Sequence, residues 1–328
     1  MKTYDIIGDV HGHATALEGL LRTLGYEPQG SSLRHPDRYR QAIFVGDIVD
    51  RGPEIPRAVR LVRGMVESGA ALMVLGNHEY NLIGYHTPIA GSSPQRFIRA
   101  HTAVHYRQCQ ETLQQFAAVP GELDDHMNWM RQLPLFLELP QLRVVHAAWH
   151  PQAVNTIQEY APETHALTDA LLQDSSRRGS AAARAIEQLL KGVEINLPQG
   201  LSYHDKEGVR RTRTRVAWWR THQTDDRGDG CIPLSELVFP PDIIPPAELS
   251  RVRVPVSTAA HVPGYSGDTP VFMGHYWLTG EPRLVAPDIC CLDFSIAAGG
   301  LLTSYTYRGE QQLSAENLLQ VDAAGIPQ

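Results

Sequence analysis

The sequence predicts an α/β fold built on a parallel sheet, from three observations. Short β-branched runs alternate with helix-like segments through the first 76 residues. Each of those runs closes on a glycine followed by a polar side chain, the pattern of a buried strand opening into a loop. The segments between them carry apolar residues at helical spacing and end in glycine.

The first run, YDII, stops at Gly8 and is followed by Asp9 and His11. ATALEGLLRTLG then places Leu17, Leu20, Leu21 and Leu24 on one helical face before a glycine stop. AIFV ends at Gly46 and Asp47, and a second helix over EIPRAVRLVRGMVESG aligns Val59, Val62 and Val66. LMVL ends at Gly76, Asn77 and His78. Two further runs follow the same rule later: LRVV leads to His146, and VFM leads to Gly274 and His275. Strand, helix, strand, helix, strand makes a right-handed parallel unit, whose strand ends share the edge where open α/β sheets bind ligands.

Beyond these, the pattern predicts helix from Ser93 to about Phe116, one helix through QEYAPETHALTDALLQ, and an Ala-rich helix at 180 to 191. The chain reads as one domain over 1–328, with residues 177–262 an insertion or lid over the sheet edge, because so long an interval between strands exceeds an ordinary connection. CLDFSIAAGGLLTSYTYRGEQQL predicts two antiparallel strands around Gly299 and Gly300.

Composition narrows the class. With 328 residues, 42% hydrophobic and 20% charged, the chain can bury a large core. No apolar run is long enough to cross a bilayer, and MKTYDIIGD enters a strand pattern without a signal-peptide layout, so a cytoplasmic location is the expectation. Cys109, Cys231, Cys290 and Cys291 lack zinc spacing and suit a reducing compartment. A net charge of −7 argues against stable nucleic-acid binding, though a local basic site remains open. Fifteen histidines make their placement informative.

Two divalent cations sharing one site need carboxylate oxygens, neutral imidazoles and a carboxylate able to bridge. Asp9 and His11 could hold one, Asn77, His146 and His275 the other, with Asp47 between them. A metal-bridging hydroxide would then attack a phosphate ester. His78 is the candidate proton donor to the leaving group, Asp50 its orienting partner, and Arg51 a planar fork matched to phosphate oxygens. Capping and turn roles explain any one of these loops; five together call for more.

GDVHG at 8–12, GDIVDRG at 46–52 and GNHE at 76–79 resemble the signature blocks of the calcineurin-like metallophosphoesterases. The nearest branch in motif is that of the phosphoprotein phosphatases, bacterial diadenosine tetraphosphate hydrolases and RNA-repair phosphatase domains. The resemblance implies a four-layer sandwich, two mixed β-sheets flanked by helices. It implies two metal ions, with manganese expected and iron or zinc also fitting. It also implies Asp9, His11 and Asp47 on one metal and Asp47, Asn77, His146 and His275 on the other, with His78, Asp50 and Arg51 in the roles above. Relatives use a further arginine on the phosphate, here assigned to Arg215. GHYW stands where the diadenosine hydrolases have GHT, and the insertion has no counterpart, so the substrate stays open.

Weaker signals have plainer readings. Arg211, Arg213 and Arg215 would share one face of a strand, in a chain with only three lysines. Trp218 and Trp219 suit core packing better than base stacking. His101, His105 and Cys109 would line one helical face but lack a fourth zinc ligand. His150 suits the cleft rim; His13 and Glu79 carry no assigned role. The leading expectation is a phosphomonoesterase or Ser/Thr-type protein phosphatase acting on a phosphorylated protein or nucleotide. Dinucleoside polyphosphate hydrolysis and RNA-end dephosphorylation are the enzymatic alternatives, GNHE tilting toward the protein-phosphatase branch. A catalytically silent scaffold and a nucleic-acid-binding module are the alternatives outside enzymology.

Overall fold

The computed structural model describes residues 2–30, 32–119, 121–204, 210–220, 231–239, 251–255, 264, 265, 267 and 269–328. The chain divides into two compact units, Met1–Leu190 with Thr269–Gln328, and Lys191–Asp268.

The first unit is an α/β sandwich of two mixed sheets flanked by helices. Its larger sheet is parallel where the sequence predicts, through β1 (Thr3–Ile7), β2 (Arg40–Phe44) and β3 (Ala71–Met73), with Ile6 opposite Ile43 and Ile43 opposite Leu72. The second sheet contains β4 (Phe136–Glu138), β5 (Arg143–Val145), β6 (Val271–Met273) and β7 (Ile289–Cys291), ordered β7-β6-β5-β4 with only the β4 pairing antiparallel. The C-terminal stretch returns to the first sheet as β8 (Asp293–Phe294), β9 (Leu301–Tyr307) and β10 (Leu318–Val321), all antiparallel to their neighbours. The turn between β8 and β9 carries Gly299 and Gly300, as expected from the sequence.

Alternation along the strands decides which face each residue buries. Ile6, Ile43, Val45 and Val74 from the first sheet meet Val144, Phe272, Cys290 and Leu292 from the second in one continuous cluster. Ile7 and Phe44, one step along, face the other way and are equally buried. Helices α1 (Ala14–Thr23) and α2 (Ile55–Glu67) pack on that sheet. In α1 the predicted Leu17, Leu20 and Leu21 are fully buried. In α2 Val59 and Val62 are buried together with Met65, whereas Val66, one residue before the helix ends, is only half-buried. Each such fully buried aliphatic side chain contributes about 1.5–3 kcal/mol.

Later helices correct the sequence reading in detail. Helix does not begin at Ser93: α3 (Asn77–His86) is followed by loop, and α4 (Ala103–Phe116) starts where Thr102 accepts the His105 N–H at 3.1 Å. After α5 (Glu122–Met130), the segment expected as one helix is two, α6 (Pro151–Tyr160) and α7 (Asp169–Ser175). Pro162 cannot continue the first, and Thr168 caps the second through the Leu171 N–H. Helix α8 (Ala181–Lys191) buries Ala182, Ala185, Ile186, Leu189 and Leu190.

In the second unit the described residues form short two-stranded ladders. Arg211 pairs with Tyr203, whereas Arg213 and Arg215 pair with Asn196 and Glu194 in a different ladder. The three arginines therefore do not share one strand; a bend at Thr212 separates them. Trp218 and Trp219 are buried and meet edge to face at 5.5 Å, as core residues.

Candidate metal and phosphate site

Five loops of the first unit gather at the C-terminal ends of β1, β2, β3, β5 and β6. Their backbones tie them together: His11 N donates to Asp47 O at 2.9 Å, Gly12 N to Ile48 O at 2.9 Å, and Gly274 N to His146 O at 2.9 Å. The conformations needed are costly. Among the described residues eight non-glycines have positive φ, and six of them are His11, Asp47, Asp50, Arg51, His275 and Trp277. Each such residue costs on the order of 1–3 kcal/mol, and strain of this kind concentrates where side chains must be aimed rather than packed.

Asp47 is the centre of the arrangement. Its Oδ2 lies 3.7 Å from His11 Nε2 and 3.3 Å from His146 Nε2, while Oδ1 accepts the His78 N–H at 2.9 Å. The His11 ring donates through Nδ1 to Val49 O at 2.9 Å, and His146 through Nδ1 to Val45 O at 2.8 Å. Both rings are thus fixed with Nε2 turned inward, the orientation a metal ligand requires. His11, Asp47 and His78 form one group whose ligand atoms lie within 4.8 Å of one another; Asp47, His146 and His275 form a second. Asp9 joins through its Oδ2, which accepts the His275 N–H at 3.1 Å. All of these residues, with Asn77, are buried.

Three observations fit this donor set to cations. Asp9 Oδ1 and His11 Nε2 are buried without a hydrogen-bond partner. The Asn77 side-chain oxygen is turned toward His275 Nδ1 and lies 3.1 Å from His146 Nε2. An oxygen in that position is what a cation between these groups would select. Finally, glycine lines the cage: a Cβ on Gly76 would lie 2.2 Å from Asp47 Oδ1, and one on Gly274 1.9 Å from Asp9 Oδ1.

The electrostatics agree. Burial, then repulsion from Asp293, holds the Asp9 carboxyl well above its ordinary range, and burial also raises Asp293. Burial, then the Asp47 charge, pushes Glu79 up to about 7. For Asp47 burial acts upward, but the His146 and His78 charges outweigh it and hold the carboxyl low. Burial, then the nearby His78, brings His11 down to about 3, leaving a neutral ring. Four buried acids around two inward-facing imidazoles is a site short of positive charge.

Beside it stands the pair expected to handle a proton. His78 Nδ1 donates to Asp50 Oδ2 at 2.6 Å, and Asp50 Oδ1 receives the Thr112 hydroxyl at 2.5 Å. Burial lowers the His78 pKa, but the Asp47 charge and the Asp50 hydrogen bond outweigh it and raise it. Arg51 lies with its guanidinium carbon 4.1 Å from the centre of the Trp277 ring.

The sequence reading missed several residues that build this site. Glu79 is fully buried, and its carboxylate accepts the N–H groups of Gly76 at 3.0 Å, Asp47 at 2.9 Å, Ile48 at 2.8 Å and Val49 at 3.2 Å. The signal was present: an acid at the third position of a helix reaches back over its own N-terminus. Gln115 donates to Gly52 O and accepts from Ile55 N, both at 2.8 Å, clasping the Asp50–Arg51 loop to α4. Asp293 accepts from Trp277 N at 2.8 Å and Ser295 N at 2.9 Å, fixing the loop after β6. Nothing local marks Gln115, Thr112 or Asp293.

Arg215 belongs to the second unit, half-buried on the ladder with Glu194. His101 precedes α4, so it does not share a helical face with His105 and Cys109; its ring stacks between Tyr85 and Phe97 and its Nε2 meets Tyr85 O. His150 is buried and precedes α6, and His13 Nδ1 meets Val10 O at 3.1 Å.

The asymmetrical bis(5′-nucleosyl)-tetraphosphatase PrpE of Oceanobacillus iheyensis is 30% identical over 148 residues, covering 44% of this chain and 54% of that protein. PrpE of Halalkalibacterium halodurans is 48% identical over 82 residues, 25% of this chain and 33% of its own. The symmetrical bis(5′-nucleosyl)-tetraphosphatase of Pectobacterium carotovorum is 29% identical over 170 residues, 51% of this chain and 50% of its own. The chain spans between a third and just over half the length of these curated relatives. Residues 3–227, which include every candidate ligand except His275, match the family described as calcineurin-like phosphoesterase, and the chain belongs to that family.

Proposed function

We propose that the protein is a dinuclear metal-dependent phosphoesterase. The family uses a dinuclear divalent-metal site. The observation that carries the reading here is Asp47, whose carboxylate stands between two imidazole-bearing groups, with His11 and His78 in one and His146 and His275 in the other. Asp9, His11 and Asp47 would hold one cation, and Asp47, Asn77, His146 and His275 the second; manganese is the proposed metal. Bound there, the cations supply Lewis-acid charge to phosphate oxygens and acidify water.

The chain's own groups do the rest. Arg51 offers parallel N–H donors to the phosphate. His78 carries its proton on the ring edge away from Asp50, where it meets the leaving oxygen. Asp50 holds that ring by one oxygen and is itself held by Thr112 at the other. The buried Nδ1–H bond to Asp50 thus favours the imidazolium that a proton donor must be.

Phosphomonoesters, on protein or nucleotide, are the proposed substrates. Hydrolysis of dinucleoside polyphosphates is the second reading, favoured by the names of the relatives from Oceanobacillus, Halalkalibacterium and Pectobacterium. One manganese-loaded assay separates them by comparing p-nitrophenyl phosphate, diadenosine tetraphosphate, phosphopeptides and 2′- or 3′-phosphorylated RNA. Turnover of none of these by folded, metal-loaded protein would end the phosphoesterase reading.

A further inference from the structure

We propose that Trp277 is a positioning residue for Arg51, its indole face holding the guanidinium in the plane from which it meets a phosphate. The inference rests on the phosphoesterase reading for the role of Arg51, and deepens it.

Arg51 comes from the loop after β2, and Trp277 from the loop after β6, so the contact joins loops of the two sheets. The guanidinium carbon lies 4.1 Å from the ring centre. Arg51 Nε is buried without a hydrogen-bond partner, so no acceptor on that atom fixes the head group. An indole face does so differently: it attracts the cation and leaves the N–H edges pointing sideways, available to two phosphate oxygens at once.

The platform is itself rigid. Trp277 has φ of 53°, and its N–H is fixed on the buried Asp293 carboxylate at 2.8 Å. The next residue bonds to the same strand, Leu278 N to Asp293 O at 2.9 Å, while Ser295 Oγ returns to Leu278 O at 3.0 Å. A half-buried tryptophan placed this firmly is poorly suited to leave its cation. The tryptophan of GHYW, which the sequence marks as a departure, thereby gains a purpose.

The test uses tungstate, a phosphate-shaped oxyanion, titrated by calorimetry into the manganese-loaded full chain. Trp277→Leu should weaken tungstate about tenfold and Trp277→Phe, which keeps a smaller ring face, about threefold. Adding Trp277→Leu to Arg51→Ala should cause no further loss, because a residue acting through Arg51 has nothing left to act on. With p-nitrophenyl phosphate the Leu variant should raise KM more than it lowers kcat. Unchanged tungstate affinity, or the same loss with and without Arg51, would overturn the proposal. Should the Leu variant fail to fold by thermal melting, the Phe variant and its Arg51→Ala double carry the same comparison. Wild-type protein that binds tungstate yet cleaves no ester would strike the phosphoesterase reading, while the coupling of Arg51 and Trp277 would still be decided by calorimetry. Folded, metal-loaded wild type that binds no tungstate overturns both.

Discussion

Thr112 donates its hydroxyl to Asp50 Oδ1 at 2.5 Å and, through the same oxygen, accepts the Asp50 backbone N–H at 3.0 Å. This double contact, from the buried face of α4, sets the carboxylate whose other oxygen holds His78. Removing the hydroxyl with Thr112→Val keeps the volume and frees Asp50 to rotate. Turnover should fall roughly tenfold, and Asp50→Asn should cost about a hundredfold, within the range of a lost general acid. Metal content, read by elemental analysis, should stay near wild type in both. Loss of metal from Asp50→Asn would place Asp50 among the ligands instead.

Glu79 tests whether the site is organised from behind. Glu79→Gln replaces one oxygen with an NH2 group, which must then face backbone N–H groups of Gly76 and Asp47 or of Ile48 and Val49. Setting donor against donor in a fully buried place should destabilise the fold by about 2–4 kcal/mol. Chemical denaturation measures that loss. An unchanged midpoint would mean that the four bonds are dispensable.

Much of this site was legible in the sequence because its chemistry sits next to its strands. Asp9, Asp47, Asn77, His146 and His275 each follow an apolar run directly, so finding the strand ends finds the side chains. The parallel pairing of β1, β2 and β3 follows from the helices between them. Thr112 was not legible: it meets Asp50 across 62 residues, and on α4 a buried threonine reads as one more small core residue. Asp293 was equally silent, since its role depends on the Trp277 and Ser295 N–H groups that only folding brings to it. His101 shows the opposite failure. Spacing four residues from His105 suggested a shared helical face, but the helix begins at Ala103.

Gly274 makes the cage for Asp9 directly testable. A Cβ there would stand 1.9 Å from Asp9 Oδ1 and 2.8 Å from Val45 Cγ2. Gly274→Ala should therefore displace the Asp9 carboxylate and weaken manganese binding about tenfold or more, the scale of losing support at a ligand. Calorimetric titration with manganese reads the change. Wild-type affinity in a folded alanine variant would show that Asp9 contributes nothing to the cation.

Proton release on metal binding gives the sharpest check on His146. Burial lowers its pKa, but the adjacent Asp47 charge raises it further, so in the metal-free protein it is pushed up to about 10. A histidine raised in this way stabilises the metal-free fold fully below its unfolded value near 6.5, and that contribution fades as pH climbs toward 10. At pH 7.5 the ring is accordingly protonated on both nitrogens. A cation needs the Nε2 lone pair, so binding must expel that proton, and affinity should rise with pH across the interval. His11, brought down to about 3, is already neutral and adds nothing to the count. Calorimetry in buffers of differing ionisation heat should find about one proton released from this ring as manganese binds at pH 7.5. In His146→Asn that proton should be missing and the pH dependence correspondingly flatter. Tight binding by wild type with no proton released would remove His146 from the ligand set.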